Sequence, residues 1–285
     1  MIGCSQRNAD LHTHSTVSDG QLSVGLLLKK SQEKNIRYLS ITDHENTNQV
    51  KEYRKLFSPF SFEIKVIPGV EVSTKHLDQE IHLLAYYSEN LVKEVEEIVQ
   101  PLREEKKNRV MRILEVLKKD RKLENYMEAI TYLMSDVSKT FNRMYVARFV
   151  YDNLPFCSIE DVFKKYFDND DVNKSESVYP KTEEVIRKLN SIGCFVGIAH
   201  PDFLKDWRKV KYIKYFAEIG VRGIEVFHPL IDENLSLFLL KLCQEINLIP
   251  LGGSDFHGYD TKRRELGEFN TFDSSAEAIM EFLCL

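Results

Sequence analysis

No two cysteines in this 285-residue chain have the spacing of a metal knuckle or a redox pair. The five present, Cys4, Cys157, Cys194, Cys243 and Cys284, are odd in number and scattered. That excludes a disulfide framework and points to reduced thiols in a cytosol. A basic excess is also lacking, because 39 Lys and Arg stand against 44 Asp and Glu, for a formal net charge of −5. No overall positive field recruits nucleic acid, which leaves room only for a local basic cleft. No DNA-binding module is evident. Long apolar runs of membrane-span length are absent too. The start, Met1-Ile2-Gly3-Cys4-Ser5-Gln6, has no apolar stretch before Cys4, so neither a signal peptide nor a lipid anchor is expected. These absences predict a soluble, cytoplasmic protein without a membrane partner. What is present is an apolar share of 43 %, ample for one large α/β domain or a barrel with an insertion.

Six of the eight histidines sit in short motifs beside carboxylates or turn residues. They are Asp10-Leu11-His12-Thr13-His14 followed by Ser18-Asp19-Gly20, then Thr42-Asp43-His44, Glu80-Ile81-His82, Ala199-His200-Pro201 and Ser254-Asp255-Phe256-His257-Gly258. Pro68-Gly69-Val70-Glu71 adds a carboxylate of the same kind. Neutral imidazole and carboxylate are ligands for divalent transition metals. On a strand, residues two apart point the same way, so His12 pairs with His14 and Asp255 with His257. Neighbours face opposite ways, which makes His44 the better ligand and gives Asp43 a supporting role. The chain reads as a metalloenzyme.

Most motifs close a short β-branched run. Seven strand-like runs cover 8–14, 36–43, 62–72, 81–87, 194–200, 223–227 and 249–255. Amphipathic helical stretches separate several of them, at 24–34, 48–57, 182–191, 210–219 and 234–245. Alternation of this kind predicts an α/β fold with a parallel sheet, and functional residues at strand C-termini predict a closed (β/α) barrel. Residues 89–179 break the pattern. They open with a charged helical stretch interrupted near Pro101 and end in the acidic run Asp168-Asn169-Asp170-Asp171. The expected organisation is a barrel from 1–88 and 180–285 with a helical insertion subdomain at 89–179. The insertion is either a solvated lid or a reader of substrate.

His76 lies in a polar stretch and is expected to be exposed, while His228 ends a strand and is a candidate substrate contact. Glu225 sits at the same end, without a partner nearby in sequence that suggests a metal role. Helix arginines such as Arg143 and Arg148 are usually surface residues. Arg143 is the better candidate if the insertion reads a phosphate, because a guanidinium grips phosphate bidentately.

These motifs together resemble the PHP (polymerase and histidinol phosphatase) superfamily of metal-dependent phosphoesterases. The opening run through Ile41-Thr42-Asp43-His44 is similar to its first signature, and Pro68-Gly69-Val70-Glu71 with Ile81-His82-Leu83-Leu84 to its second. Ile198-Ala199-His200-Pro201, Gly223-Ile224-Glu225-Val226 and the Asp255 motif resemble later blocks. Within the superfamily the chain is most similar to the TrpH-like branch. That resemblance implies a distorted seven-stranded (β/α) barrel of PHP type with a helical insertion. It implies up to three divalent ions (Mn²⁺, Fe²⁺ or Zn²⁺): His12, His14, Glu71 and Asp255 at the first, Glu71, His82 and His200 at the second, and Asp19, His44 and His257 at the third. Glu71, Asp255 and His257 are then the expected catalytic members, with Arg143 and His228 as substrate contacts. One departure stands out. The branch often carries Arg-x-His-(apolar)-Ala in its insertion, where this chain has Arg143-Met144-Tyr145-Val146-Ala147.

The implied chemistry is hydrolysis of 3′,5′-nucleoside bisphosphates, 5′-phosphorylated short oligonucleotides or RNA from its 5′ end. Divalent ions make hydroxide available near neutral pH and stabilise the charge of phosphoryl transfer, so no Ser or Cys nucleophile is needed. Two other readings stay open, a phosphatase of a non-nucleotide metabolite such as histidinol phosphate and a non-catalytic metal-binding module.

Overall fold

A computed structural model of the chain describes residues 6–57, 63–120, 123, 126–136, 138–167, 179–206, 209–258 and 265–285. The acidic run Asp168–Asp171, Phe62 and Cys4 lie outside them. Among the described residues there are eight strands: β1 Ala9–Thr13, β2 Tyr38–Ile41, β3 Lys65–Val66, β4 Gly69–His76, β5 Gln79–Tyr86, β6 Phe195–Ile198, β7 Gly223–Phe227 and β8 Ile249–Gly252. They form a three-stranded sheet in the order β1-β2-β3 and a five-stranded sheet in the order β4-β5-β6-β7-β8.

Among the described residues the strands thus make two sheets, neither of them closed, and not the single seven-stranded barrel expected from sequence. The run expected over 62–72 divides at Ile67-Pro68, since proline has no N–H for a ladder. Its first part pairs parallel with β2 and its second antiparallel with β5. β4 and β5 are a hairpin whose turn puts Leu77 at φ 52°, and β5 also pairs antiparallel with β6. Only β1-β2-β3 and β6-β7-β8 keep the parallel pairing that helical crossovers impose. Single bridges, Thr13 to Phe256 and His44 to Glu71, join the two sheets at the end that carries the motifs.

The crossover helices follow their apolar spacing. Helix α1 (Val24–Glu33) buries Val24, Leu27, Leu28 and Ser31 and is capped by Ser23, whose side chain accepts the Leu26 N–H. Helix α2 is Asn48–Phe57. Next comes α3, Val92–Leu117, which continues through Pro101 instead of stopping there. Pro101 is on the exposed side, while Val95, Val99 and Arg103 are buried on either side of it. Packing of these flanks offsets the roughly 3 kcal/mol that an interior proline costs. The first half of α3 joins the main core through Val92, Val95 and Val99. Its second half, with Val110, Ile113, Leu114 and Leu117, belongs to a separate cluster with Met127, Phe141, Val146, Val150, Val162 and Phe167. That cluster is covered by α4 (Met127–Leu133), α5 (Arg143–Asn153) and α6 (Ile159–Tyr166). Four further helices, α7 Thr182–Ser191, α8 Val210–Glu218, α9 Glu233–Ile246 and α10 Asp273–Leu283, complete the described residues. His76 is not free in a loop. It ends β4, half-buried, with Nδ1 2.6 Å from Glu183.

Candidate metal centre

Backbone bonds between strand ends bring the motifs together. The Asp255 N–H donates to His12 O (2.8 Å), the His14 N–H to Phe256 O (2.9 Å), the Thr42 N–H to Thr13 O (2.8 Å) and the Glu71 N–H to Thr42 O (3.1 Å). Ala199 N–H donates to His82 O at 2.9 Å. In the hairpin, Glu71 faces Leu84 and Ser73 faces His82, so Glu71, Ser73 and His82 share one face of the sheet. Gly253 permits a close approach, because a Cβ there would collide with the His12 backbone and side chain.

Glu71 is the centre of the arrangement. Its Oε1 lies 2.7 Å from His82 Nδ1 and 3.0 Å from His200 Nε2. Its Oε2 lies 3.2 Å from a nitrogen of each of His12, His14 and His44. Asp255 Oδ1 is 3.2 Å from His14 Nε2 and 3.4 Å from His257 Nδ1, and Asp19 Oδ1 is 3.3 Å from His257 Nε2. The sets His14-Asp19-His44-His257, His12-Glu71-His200 and His12-His14-Asp255 could each hold a metal ion. Eight of the nine residues expected from sequence fall in these sets, and the ninth, His82, lies 2.7 Å from Glu71.

Supporting groups hold them there. Asp43 accepts the backbone N–H and hydroxyl of both Ser15 and Ser18, which fixes the loop carrying Asp19, in the supporting role expected of it. Asp10 does the same for Ser254 and the Gly267 N–H. Glu225, for which sequence offered no partner, is fully buried, with Oε1 3.1 Å from His12 Nδ1 and Oε2 accepting the His200 N–H at 2.6 Å. A carboxylate on the far nitrogen of a ligand imidazole orients it and sets its tautomer. His228 is also fully buried and is not on the cleft wall. Its Nδ1 accepts the Leu230 N–H, so its proton sits on Nε2, 3.4 Å from Asp255 Oδ2. His200 (φ 23°), Asp255 (φ 49°) and Glu45 (φ 42°) are all in the left-handed region. Backbone strain of this kind is held where the surrounding structure dictates side-chain direction.

The imidazoles and carboxylates of the cage act strongly on one another. Burial alone would raise the Glu71 carboxyl, but His44, His12 and His82 outweigh it and hold it well below its ordinary value. Asp19 is likewise driven down against burial, by His257 and His44. Burial would lower the His14 and His82 imidazoles, yet the carboxylates facing them push both up to about 10. His44 goes the other way, pulled well below 6.5 by burial and the nearby Lys106. Both ring nitrogens of His14 and Nδ1 of His44 are buried without a hydrogen-bond partner, although carboxylate oxygens lie near them. Buried ring nitrogens that face carboxylate oxygens without hydrogen-bonding them are the arrangement a divalent ion resolves, and the donor set of imidazole and carboxylate fits Mn²⁺, Fe²⁺ or Zn²⁺.

A cleft of about 290 Å³ opens above this cage. Asp19, His44, Glu71, His82, His200, Asp255 and His257 form its floor; Lys106, Arg109, Asn142, Arg143, Met144, Phe163 and Tyr179, all from the stretch 106–179, form its wall. Sequence reading found Arg143 but missed Lys106, Arg109, Asn142 and Tyr179. Lys106 and Arg109 are three apart on one charged helix, which is also how a solvated face reads. Tyr145, at the departure from the branch pattern, turns away into the second apolar cluster, edge-on to Phe141 at 4.8 Å.

The likeness to known proteins agrees with this geometry. The chain is 29 % identical over 251 residues to the 5′-3′ exoribonuclease Rnm of Escherichia coli, covering 87 % of this chain and 84 % of that protein. It is 23 % identical to a phosphoribosyl 1,2-cyclic phosphate 1,2-diphosphodiesterase of Eggerthella lenta, over 87 % of this chain and 94 % of the relative. A 3′,5′-nucleoside bisphosphate phosphatase of Chromobacterium violaceum is 24 % identical, covering 91 % and 90 %. In fold, a Bifidobacterium adolescentis structure described as a metal-dependent phosphoesterase superposes with a TM-score of 0.84 at 22 % identity, covering 97 % of this chain and 96 % of that one. The PHP domain family matches residues 10–191, and the chain belongs to it as a PHP-family, metal-dependent phosphoesterase.

Proposed function

We propose that the protein removes phosphate from nucleotides or short 5′-phosphorylated RNA, as a 3′,5′-bisphosphate phosphatase or a 5′-3′ exoribonuclease. One observation carries the reading: three cationic side chains, Lys106, Arg109 and Arg143, share a cleft with the carboxylate–imidazole cage. The cage suits the scissile phosphate, and a separate cation suits a second phosphate, which nucleoside bisphosphates and 5′-phosphorylated oligonucleotides possess. Val110, Met144 and Phe163 on the same wall give an apolar surface for a base. The names of the relatives support the same substrate class.

In this reading His12, His14, Glu71 and Asp255 would hold one ion. Glu71, His82 and His200 would hold a second, and Asp19, His44 and His257 a third. When bound, the ions lower the pKa of water and balance the charge on the phosphate oxygens. Glu225 fixes His12, and Arg143 orients the remote phosphate. Residues 89–179 act as the subdomain that reads substrate, and reduced thiols suit a cytoplasmic site of action.

The test is a panel on the Mn²⁺-loaded protein. A 3′,5′-bisphosphate, a 5′-phosphorylated RNA of a few nucleotides, a ribose 1,2-cyclic phosphate, AMP and histidinol phosphate are compared by kcat/KM. The proposal expects the first two to exceed AMP and histidinol phosphate by about ten-fold or more, the worth of one charge-assisted contact. Preference for histidinol phosphate, or equal turnover of all five, overturns it.

A further inference from the structure

Asn142 has two partners on opposite sides. Its Oδ1 accepts the Tyr145 N–H at 3.0 Å and so caps α5, the helix that begins with Arg143. Its Nδ2 donates to Asp19 Oδ2 at 2.6 Å, across 123 positions of sequence. The amide cannot be turned over, because that would aim its oxygen at the carboxylate and its NH₂ at the Tyr145 N–H. The other Asp19 oxygen faces His257 and His14.

The contact is part of a wider seam. The Thr140 N–H donates to Val17 O at 2.9 Å. Asn46 Nδ2 donates to Ser138 O at 2.9 Å and Thr140 Oγ1 at 3.2 Å, and Asn48 Nδ2 also reaches Ser138 O. Residues 138–142 are thus stitched to the Asp19 loop and to the turn just after His44. Asn142 is the member of this seam that touches the cage itself.

We infer that Asn142 is a positioning residue that sets the Asp19 carboxylate for its metal ion and, through the same amide, sets the helix that carries Arg143. The inference rests on the proposed metal assignment. It goes further by making the insertion a part of the metal centre, not only a wall above it. Substrate-reading helix and ion site then move as one unit. A carboxylate that keeps a hydrogen bond to an amide donor has one oxygen held and the other directed, and loss of such outer contacts typically costs about ten- to hundred-fold in metal affinity.

Two substitutions separate the two roles. Serine caps helices about as well as asparagine, but its shorter side chain does not span to Asp19; alanine loses both contacts. Mn²⁺ is titrated into chelator-stripped wild type, Asn142→Ser and Asn142→Ala, and free Mn²⁺ is followed by its paramagnetic resonance signal. Thermal unfolding of each metal-free protein reports the cap. The inference expects Asn142→Ser to unfold like wild type, yet to bind its weakest Mn²⁺ about ten-fold or more weakly, with Asn142→Ala equally weak. It also expects kcat to fall on an aryl phosphate that offers nothing to Arg143. Wild-type Mn²⁺ binding by a stably folded Asn142→Ser protein overturns the inference, as does loss of Mn²⁺ affinity in Asn142→Ala alone. Failure of wild type to bind Mn²⁺ sinks the metal assignment instead.

Discussion

Lys106 reaches from the middle of α3 to Glu45, with Nζ 2.6 Å from Oε2, and closes a buried ion pair beside the cage. Glu45 is fully buried in a left-handed turn directly after His44 and also accepts the Ser73 N–H at 2.7 Å. Burial would lower the Lys106 ammonium, but Glu45 reverses the sign and raises it. Helix α3 therefore enters the motif-bearing end of the fold as charge. Its second anchor is Arg103, which donates to Glu45 O at 3.0 Å.

Removing one partner of such a pair leaves the other charged and dry, which costs about 3–5 kcal/mol. Lys106→Met is expected to lower the unfolding free energy by that amount in urea titrations of the metal-free protein. A loss under about 1 kcal/mol would mean that solvent screens the pair as it does at a surface.

Metal removal gives a second expectation. Exhaustive chelation abolishes phosphoester hydrolysis, and Mn²⁺ restores it at least as well as Mg²⁺, since imidazole-rich sites favour transition metals. Asp255→Asn keeps the shape of the side chain beside His14 while weakening its grip on a cation. It should lose activity by more than about a hundred-fold, with bound Mn²⁺ falling in parallel by elemental analysis. Full turnover by metal-free protein would end the hydrolytic role assigned to the ions.

The thiols supply a pH prediction away from the site. Burial pushes Cys194 and Cys243 up to about 12 from an ordinary 9.0, while Cys157 and Cys284 are exposed. At pH 8 a disulfide reagent should modify Cys157 and Cys284 in the native protein and spare the other two until denaturant is added, as peptide mapping reads directly. The folded state keeps protons that the unfolded chain releases above pH 9. Stability from this source therefore falls as pH climbs from about 9 toward 12. Rapid native labelling of Cys194 would show that its β6 edge opens locally.

The sequence made some of this architecture legible, and the reason is spacing. His12 with His14 and Asp255 with His257 could be paired because alternate residues on an extended chain share a face. Asp43 could be assigned support because it adjoins His44. Glu225 could not be assigned, since its partners His12 and His200 are 213 and 25 positions away. Nor could closure of the sheets. The hairpin of β4 and β5 turns at Leu77-Asp78, without the glycine that usually signals such a turn, so the run of strands resembled a parallel alternation. Asn142 was visible only as a flank of Arg143, because helix capping is local and its contact with Asp19 is not.

Arg143 gives the sharpest test of how the insertion reads substrate. It starts α5 on the cleft wall, and Tyr145, two residues on, is taken up by the insertion core instead of the cleft. Removal of a remote binding group affects only substrates that possess the matching group. Arg143→Ala should therefore raise KM for a 3′,5′-bisphosphate or a 5′-phosphorylated oligonucleotide and leave an aryl phosphate nearly unchanged. One charge-assisted contact contributes about 1.5–3 kcal/mol, which corresponds to a roughly ten- to hundred-fold loss in kcat/KM. This pattern differs from that of Asn142→Ser, which acts through Asp19 and should slow both substrates. Equal losses on both substrates in Arg143→Ala would move Arg143 from reader to support of the cage. No loss on either would leave the second phosphate to Arg109 on the same wall, since Lys106 is held by Glu45.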